Sequence, residues 1–244
     1  MVVGLLLLGL TLGSPDLVRT GHRLFHDPGL GQSGASCATC HAPVIDEVAD
    51  GDGLLRAGHP LGDVARRAFW WGDRARRRYA SLAEALNVCP EVFLQRGPLA
   101  PWESRALVAY LESLSSRARR VRPAIQIITG LEADLDYNRP KYRGGHADRG
   151  RVLFYQACHG CHPHGRQGLG PDITHRTAAE VARQIREGNG MLRGVRKEGM
   201  WSPAFGMDRL SDEQVADLGA FVETLSRPMG EPDRSASIHG SDSP

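Results

Sequence analysis

Apolar positions recur at helical spacing in two widely separated stretches. Leu107, Tyr110, Leu111 and Leu114 stand at i, i+3, i+4 and i+7, and Leu218, Phe221, Val222 and Leu225 repeat that arrangement. Each stretch predicts an amphipathic helix with one aromatic in its apolar stripe. Helix-start signals agree: Ser211-Asp212-Glu213-Gln214 reads as a capping box, and Pro101 suits a first helical position. The stretches also align position by position. LVAYLESLS (107–115) and LGAFVETLS (218–226) share Leu, Ala, Glu, Leu and Ser in register. Further upstream G-x-x-L-F occurs twice, as Gly21–Phe25 and Gly150–Phe154. The chain is thus an internal repeat of two helical units. Frequent glycine and proline (29 and 15) with few aromatics (6%) predict a loop-rich, all-α fold rather than a sheet.

Outside the units the pattern changes. Val2–Leu12 is a bare apolar run of 11 residues, about half of the ~20 that span a bilayer, followed by the small residues Gly13 and Ser14. No Lys or Arg precedes it, which is atypical of a signal peptide. We expect a signal segment at 1–16 and export, for instance to the periplasm, with membrane attachment only if the segment is retained. The alternative is a buried helix. The expected organisation continues with one unit at 17–117, a linker at 118–145 carrying an apolar patch at Ile125–Ile128, a second unit at 146–228, and a disordered tail at 229–244. A net charge of +2 over 244 residues gives no argument for nucleic acid or an anionic membrane as partner.

Chemistry enters with the cysteines. Cys37-Ala38-Thr39-Cys40-His41 and Cys158-His159-Gly160-Cys161-His162 are both CxxCH. Two cysteines one helical turn apart reach the two vinyl groups of one haem, and the adjacent histidine is held beneath the iron. A zinc site built from the four cysteines would span 118 residues between its inner pair, whereas zinc modules are compact. A thioredoxin-type CxxC belongs in a βαβ pattern, which is missing. Two covalent c-type haems are expected, at Cys37, Cys40 and His41 and at Cys158, Cys161 and His162.

Each iron has a second axial position. The five methionines are Met1, Met191, Met200, Met207 and Met229, so the first unit contains none. Aligned on the closing helices, Met200 precedes Leu218 by 18 residues and the fifth cysteine, Cys89, precedes Leu107 by 18. This register predicts Cys89 as distal ligand of haem 1 and Met200 of haem 2. The alternatives are His59 for haem 1, Met207 for haem 2, and a buried, unliganded Cys89. Thiolate lowers a haem potential and thioether raises it, so haem 1 should be the low-potential centre.

Helix, CxxCH, loop-rich middle and closing helix together resemble the class I cytochrome c fold, in which first and last helices cross beside the haem. The resemblance implies two tandem domains. Gly168-Leu169-Gly170-Pro171 resembles the loop whose proline carbonyl accepts a hydrogen bond from the proximal histidine, and Met200–Leu210 (MWSPAFGMDRL) resembles the distal methionine loop. Around Cys89, SLAEALNVC…RGPLAP…LVAYLESLS is similar to SoxA-type cytochromes and thiosulfate dehydrogenases, in which a cysteine-ligated haem oxidises sulfur anions and the other haem relays electrons. That resemblance implies Cys89 as a catalytic residue and a small sulfur anion as substrate. Leu24–Pro28 with Ser36–His41 resembles the opening of dihaem peroxidases, although a Cys89 ligand would block a peroxidatic site. The expected function is electron transfer between redox partner proteins, with sulfur oxidation as the alternative. Arg66, Arg67, Arg74, Arg76, Arg77 and Arg78 would suit an anion-gathering rim or haem propionates; otherwise they form a solvated helical face. Trp70 and Trp71 would pack over haem 1 or in ordinary core.

Overall fold

The computed structural model of the protein describes residues 14–44, 52–67, 70–71, 78–79, 81–117, 134–188 and 202–226. The apolar run Val2–Leu12, the linker patch at 125–128, Met200 and the tail at 229–244 lie outside the described residues. Described helices are α1 (Pro15–His26), α2 (Cys37–Cys40), α3 (Leu82–Leu86), α4 (Val88–Val92), α5 (Pro101–Arg117), α6 (Ala147–Ala157), α7 (Ala178–Glu187) and α8 (Asp212–Thr224). Among the described residues none of the helices is long and apolar enough to cross a membrane. The start signals act as predicted. Helix α5 begins at Pro101, and Ser211 accepts from the Gln214 amide while Gln214 reaches back to the Ser211 amide.

The fold is all-α, with one short exception among the described residues. Strands β1 (Trp70–Trp71) and β2 (Arg78–Tyr79) form an antiparallel ribbon that pairs Trp70 with Tyr79. Of the arginine-rich segment considered as a helical face, Arg66 ends a 3-10 turn (Val64–Arg66) and Arg78 lies in β2, while Arg74, Arg76 and Arg77 lie outside the described residues. Trp70 explains part of the ribbon: its indole Nε1 donates to the Val64 carbonyl at 2.9 Å, and its ring packs on the first core. Aromatic residues on a half-buried surface favour extended chain.

The repeated G-x-x-L-F marks two helix crossings. A Cβ on Gly21 would lie 2.0 Å from the Ala106 carbonyl oxygen of α5, and one on Gly150 would lie 1.9 Å from the Asp217 carbonyl oxygen of α8. Backbones touch there, so only glycine fits. Four residues on, one helical turn along the same face, Phe25 meets Tyr110 at 5.5 Å between ring centroids and Phe154 meets Phe221 at 5.2 Å. All four rings are buried. Around them lie two cores. The first gathers Phe25, Cys37, Val64, Leu107, Leu111 and Leu114. The second gathers Phe154, Leu210, Val215, Leu218, Phe221 and Val222.

Two features depart from the expected boundaries. Tyr137 and Tyr142, in the expected linker, are buried in the second core. Leu55 and Ala57, from the first unit, also pack against that core. Composition reads 134–145 as polar, but its two tyrosines carry the buried area.

Beside the second crossing, the buried carboxylate of Asp217 accepts from the His146 amide at 2.6 Å and from Arg149 Nε at 2.7 Å. Burial pulls this carboxyl upward, but Arg149 and the His146 amide outweigh it and hold it below the usual carboxylate range. Its stabilisation is complete above the unfolded value near 3.9 and is lost as pH falls through the lower folded value. Asp217→Asn should therefore cost about 1–3 kcal/mol at pH 7. Urea denaturation at several pH values should show the gap to the wild type narrowing below pH ~4.

Candidate haem centres

Helix α2 exists to present a motif. It spans one turn, so Cys37 and Cys40 share a face, and the His41 amide closes the turn on the Cys37 carbonyl at 2.9 Å. The next contact comes from a loop. His41 Nδ1 donates to the His59 carbonyl at 2.8 Å, and the Gly58 amide donates to the Cys40 carbonyl at 2.8 Å. A Cβ on Gly58 would sit 2.3 Å from His41 Cε1. The glycine backbone thus lies flat against the imidazole.

The second motif is built alike. The His162 amide bonds the Cys158 carbonyl at 2.9 Å, and His162 Nδ1 donates to the Pro171 carbonyl at 2.7 Å. The Gly170 amide donates to the Cys161 carbonyl at 2.8 Å, and a Cβ on Gly170 would sit 2.2 Å from His162 Cε1. The hydrogen bond implied by the Gly168–Pro171 resemblance is present. The same clasp in the first unit, made by Gly58 and His59, has no proline at the carbonyl position. That difference hid it from sequence comparison; the spacing of a glycine from its CxxCH was the signal available.

Both clasps fit a covalently held haem. Each pins Nδ1 on a carbonyl, which leaves Nε2 as the ring nitrogen for a metal and raises its basicity. All five cysteines are free of disulfides. Burial, reinforced by the charges of Cys161 and Cys37, pushes the Cys40 thiol up to about 12, and burial with the charge of Cys161 does the same to Cys158. These are neutral thiols, the form that thioether formation consumes. Among the described residues no three His, Cys, Asp or Glu side chains converge to hold a metal ion. Burial also lowers both His41 and His162, opposed by their carbonyl bonds, which keeps each ring neutral and ligand-ready at pH 7.

Cys89 lies on α4 and packs on the first core with its Sγ 3.9 Å from Cys37 Sγ. The structure therefore brings the fifth cysteine to the first motif. His59, the alternative ligand, is committed elsewhere: its carbonyl holds His41 from the proximal side and its Nε2 donates to Asp208 Oδ2 at 2.5 Å. In the second unit Met207 is exposed at 57%. The loop that carries it is anchored by Arg186, a side chain 1% exposed. Arg186 Nη1 donates to the carbonyls of Phe205 and Leu210 at 3.1 and 2.8 Å, and Nη2 to Asp212 at 2.7 Å. Sequence reading missed this arginine, since nothing in its spacing distinguishes it from the solvated arginines. Arg186→Met should cost about 3 kcal/mol, because three acceptors lose one buried cation; urea denaturation followed by far-ultraviolet circular dichroism measures it.

The two motifs lie on one seam. Leu55 N bonds the Gln156 carbonyl at 2.9 Å, Arg209 Nε and Nη2 both donate to the Arg56 carbonyl at 2.9 and 2.8 Å, and His59 pairs with Asp208. Arg56 Nε in turn donates to the Ala38 carbonyl inside the first CxxCH at 2.8 Å.

The profile of the family described as Cytochrome C oxidase, cbb3-type, subunit III matches residues 145–222. No curated protein matches the chain. Among solved structures the chain is similar to the as-isolated form of the thiosulfate dehydrogenase TsdBA from Marichromatium purpuratum, at 18% identity and a TM-score of 0.40 over 93% of this chain. That match covers 50% of the other chain, so this protein spans half its length. Residues 145–222, which carry α6 to α8, are thus similar to a cytochrome c domain.

Proposed function

We propose that the protein is an exported dihaem c-type cytochrome that passes electrons between redox partner proteins, with haem 1 held by Cys37, Cys40, His41 and Cys89, and haem 2 by Cys158, Cys161, His162 and Met200. The observation that carries this reading is the duplicated clasp. The family model matches residues 145–222, and the first CxxCH repeats the three clasp bonds of the second, down to the glycine against the imidazole. When bound, each haem supplies a one-electron couple. The protein's own residues do the rest. His41 and His162 are oriented by carbonyls and kept neutral. The sulfur of Cys89, gathered to the first motif, would tune haem 1 downward, and the two motifs share one seam.

Intact-mass measurement of the exported protein tests the count: two covalent haems are expected, and Cys37→Ala with Cys40→Ala should leave one. A single haem in the wild type would refute the reading. Cys89 also supports oxidation of a small sulfur anion at haem 1, the second reading. Thiosulfate added as sole reductant to the oxidised protein separates the two, since an electron carrier stays oxidised and a sulfur oxidase is reduced.

A further inference from the structure

In the second unit the carbonyl that orients the proximal histidine belongs to Pro171, an exposed residue with no polar side-chain atom to tie elsewhere. The matching residue of the first unit is His59. The register is set by the clasp itself: Gly58 and Gly170 bond the second cysteine's carbonyl at 2.8 Å, and the next residue in each case receives Nδ1 of the histidine. His59 therefore does two things at once. Its carbonyl holds His41, and its side chain, 12% exposed, extends to Asp208 in the other unit. The same turn of the second unit supplies Arg209, which grips the Arg56 carbonyl three residues earlier. Residues 56–59 are thus fastened at both ends by 208 and 209.

We infer that Asp208 is a positioning residue for the first haem: the second unit sets the orientation of His41 through the tie from Asp208 to His59. This rests on the proposed haem at His41. The physical route is short. Nδ1 bonding to a carbonyl fixes ring orientation and raises the basicity of Nε2, and both tune the iron. A carbonyl in a loop free to shift would do neither as well. The tie also makes the centres mutually dependent: residues that belong by sequence to the second unit's distal loop act on the first unit's axial ligand.

The test compares full-length holoprotein carrying Asp208→Ala, Asp208→Asn or His59→Pro. Asparagine keeps an acceptor for His59 Nε2; proline restores the residue type of the second unit and removes the tie. Two readouts are taken. Amide exchange at Gly58 and Leu61, which bond the carbonyls of Cys40 and Ala42, should quicken about tenfold in Asp208→Ala. The electron paramagnetic resonance signal of haem 1, assigned as the one missing from a Cys37→Ala, Cys40→Ala variant, should shift in g-values, and its midpoint potential should rise. Asp208→Asn should stay near wild type in both. His59→Pro should keep the haem 1 signal while losing its sensitivity to Asp208→Ala. The inference is overturned if Asp208→Ala leaves haem 1 unchanged, or if it shifts haem 2 instead. A wild-type mass with no haem at the first motif refutes the proposed function; quickened exchange would then still report the tie, separately from its effect on haem.

Discussion

Cys89→Ala is expected to abolish a thiolate-type low-spin ferric signal and raise the potential of the first haem on the order of 0.1 V, a modest part of the ~0.8 V that axial ligands span. The geometry behind this is specific. Cys89 sits on a five-residue helix, α4, immediately before the turn that leads into α5, and its sulfur approaches Cys37 at 3.9 Å. The hydrogen bond to Cys37, and after it burial, push its thiol well above the ordinary value, so Cys89 does not ionise unaided. A ferric iron bound there would supply the positive charge that changes this. Cys89→Met offers the converse check: a thioether should carry haem 1 further toward the potential of a His/Met centre. Redox titration followed by low-temperature paramagnetic resonance measures both variants. A potential and spectrum unchanged in Cys89→Ala would return the residue to the core.

Gly150→Val should prevent the second unit from folding. The added branched side chain would meet the Asp217 carbonyl at 1.9 Å and the Cβ of Phe221 at 2.9 Å, in the midst of a helix crossing. Ordinary overpacking costs about 1–3 kcal/mol. Here the obstacle is backbone, which cannot rotate away, so the helices must separate and uncover Phe154, Leu218 and Phe221. Against a total stability of about 5–15 kcal/mol, such a loss leaves little folded protein. Gly21→Val should do the same at α1 and α5, where the Ala106 carbonyl stands 2.0 Å away. Circular dichroism and limited proteolysis of each variant would show it, and Val152→Ala, at an exposed site on the same helix, serves as the silent control.

Both crossings could be read in the sequence because they repeat. Gly21 and Gly150 precede their phenylalanines by the same interval, and the closing helices carry their apolar stripes in the same register, so local pattern and tertiary contact agree. The CxxCH motifs were equally legible, since their chemistry dictates their spacing. What escaped notice depends on contacts between segments distant in sequence. His59 invited reading as a ligand because histidine commonly is one; the carbonyl it presents to His41 is invisible in a side-chain alphabet. Asp208 and Arg209 looked like ordinary polar residues of a loop. Tyr137 and Tyr142 sat in a segment whose other residues are mostly polar, and two aromatics outweighed that average. The ribbon at Trp70 arose where a run of arginines favoured a helical expectation.

The shared second core has a consequence for how this chain can be divided. A fragment cut to begin at residue 146, where the repeat alone would place the boundary, discards Tyr137 and Tyr142 and strips away Leu55 and Ala57. Its bare apolar face would invite aggregation. The dependence runs one way: among the described residues the first core draws every member from its own unit, whereas the second borrows walls from it.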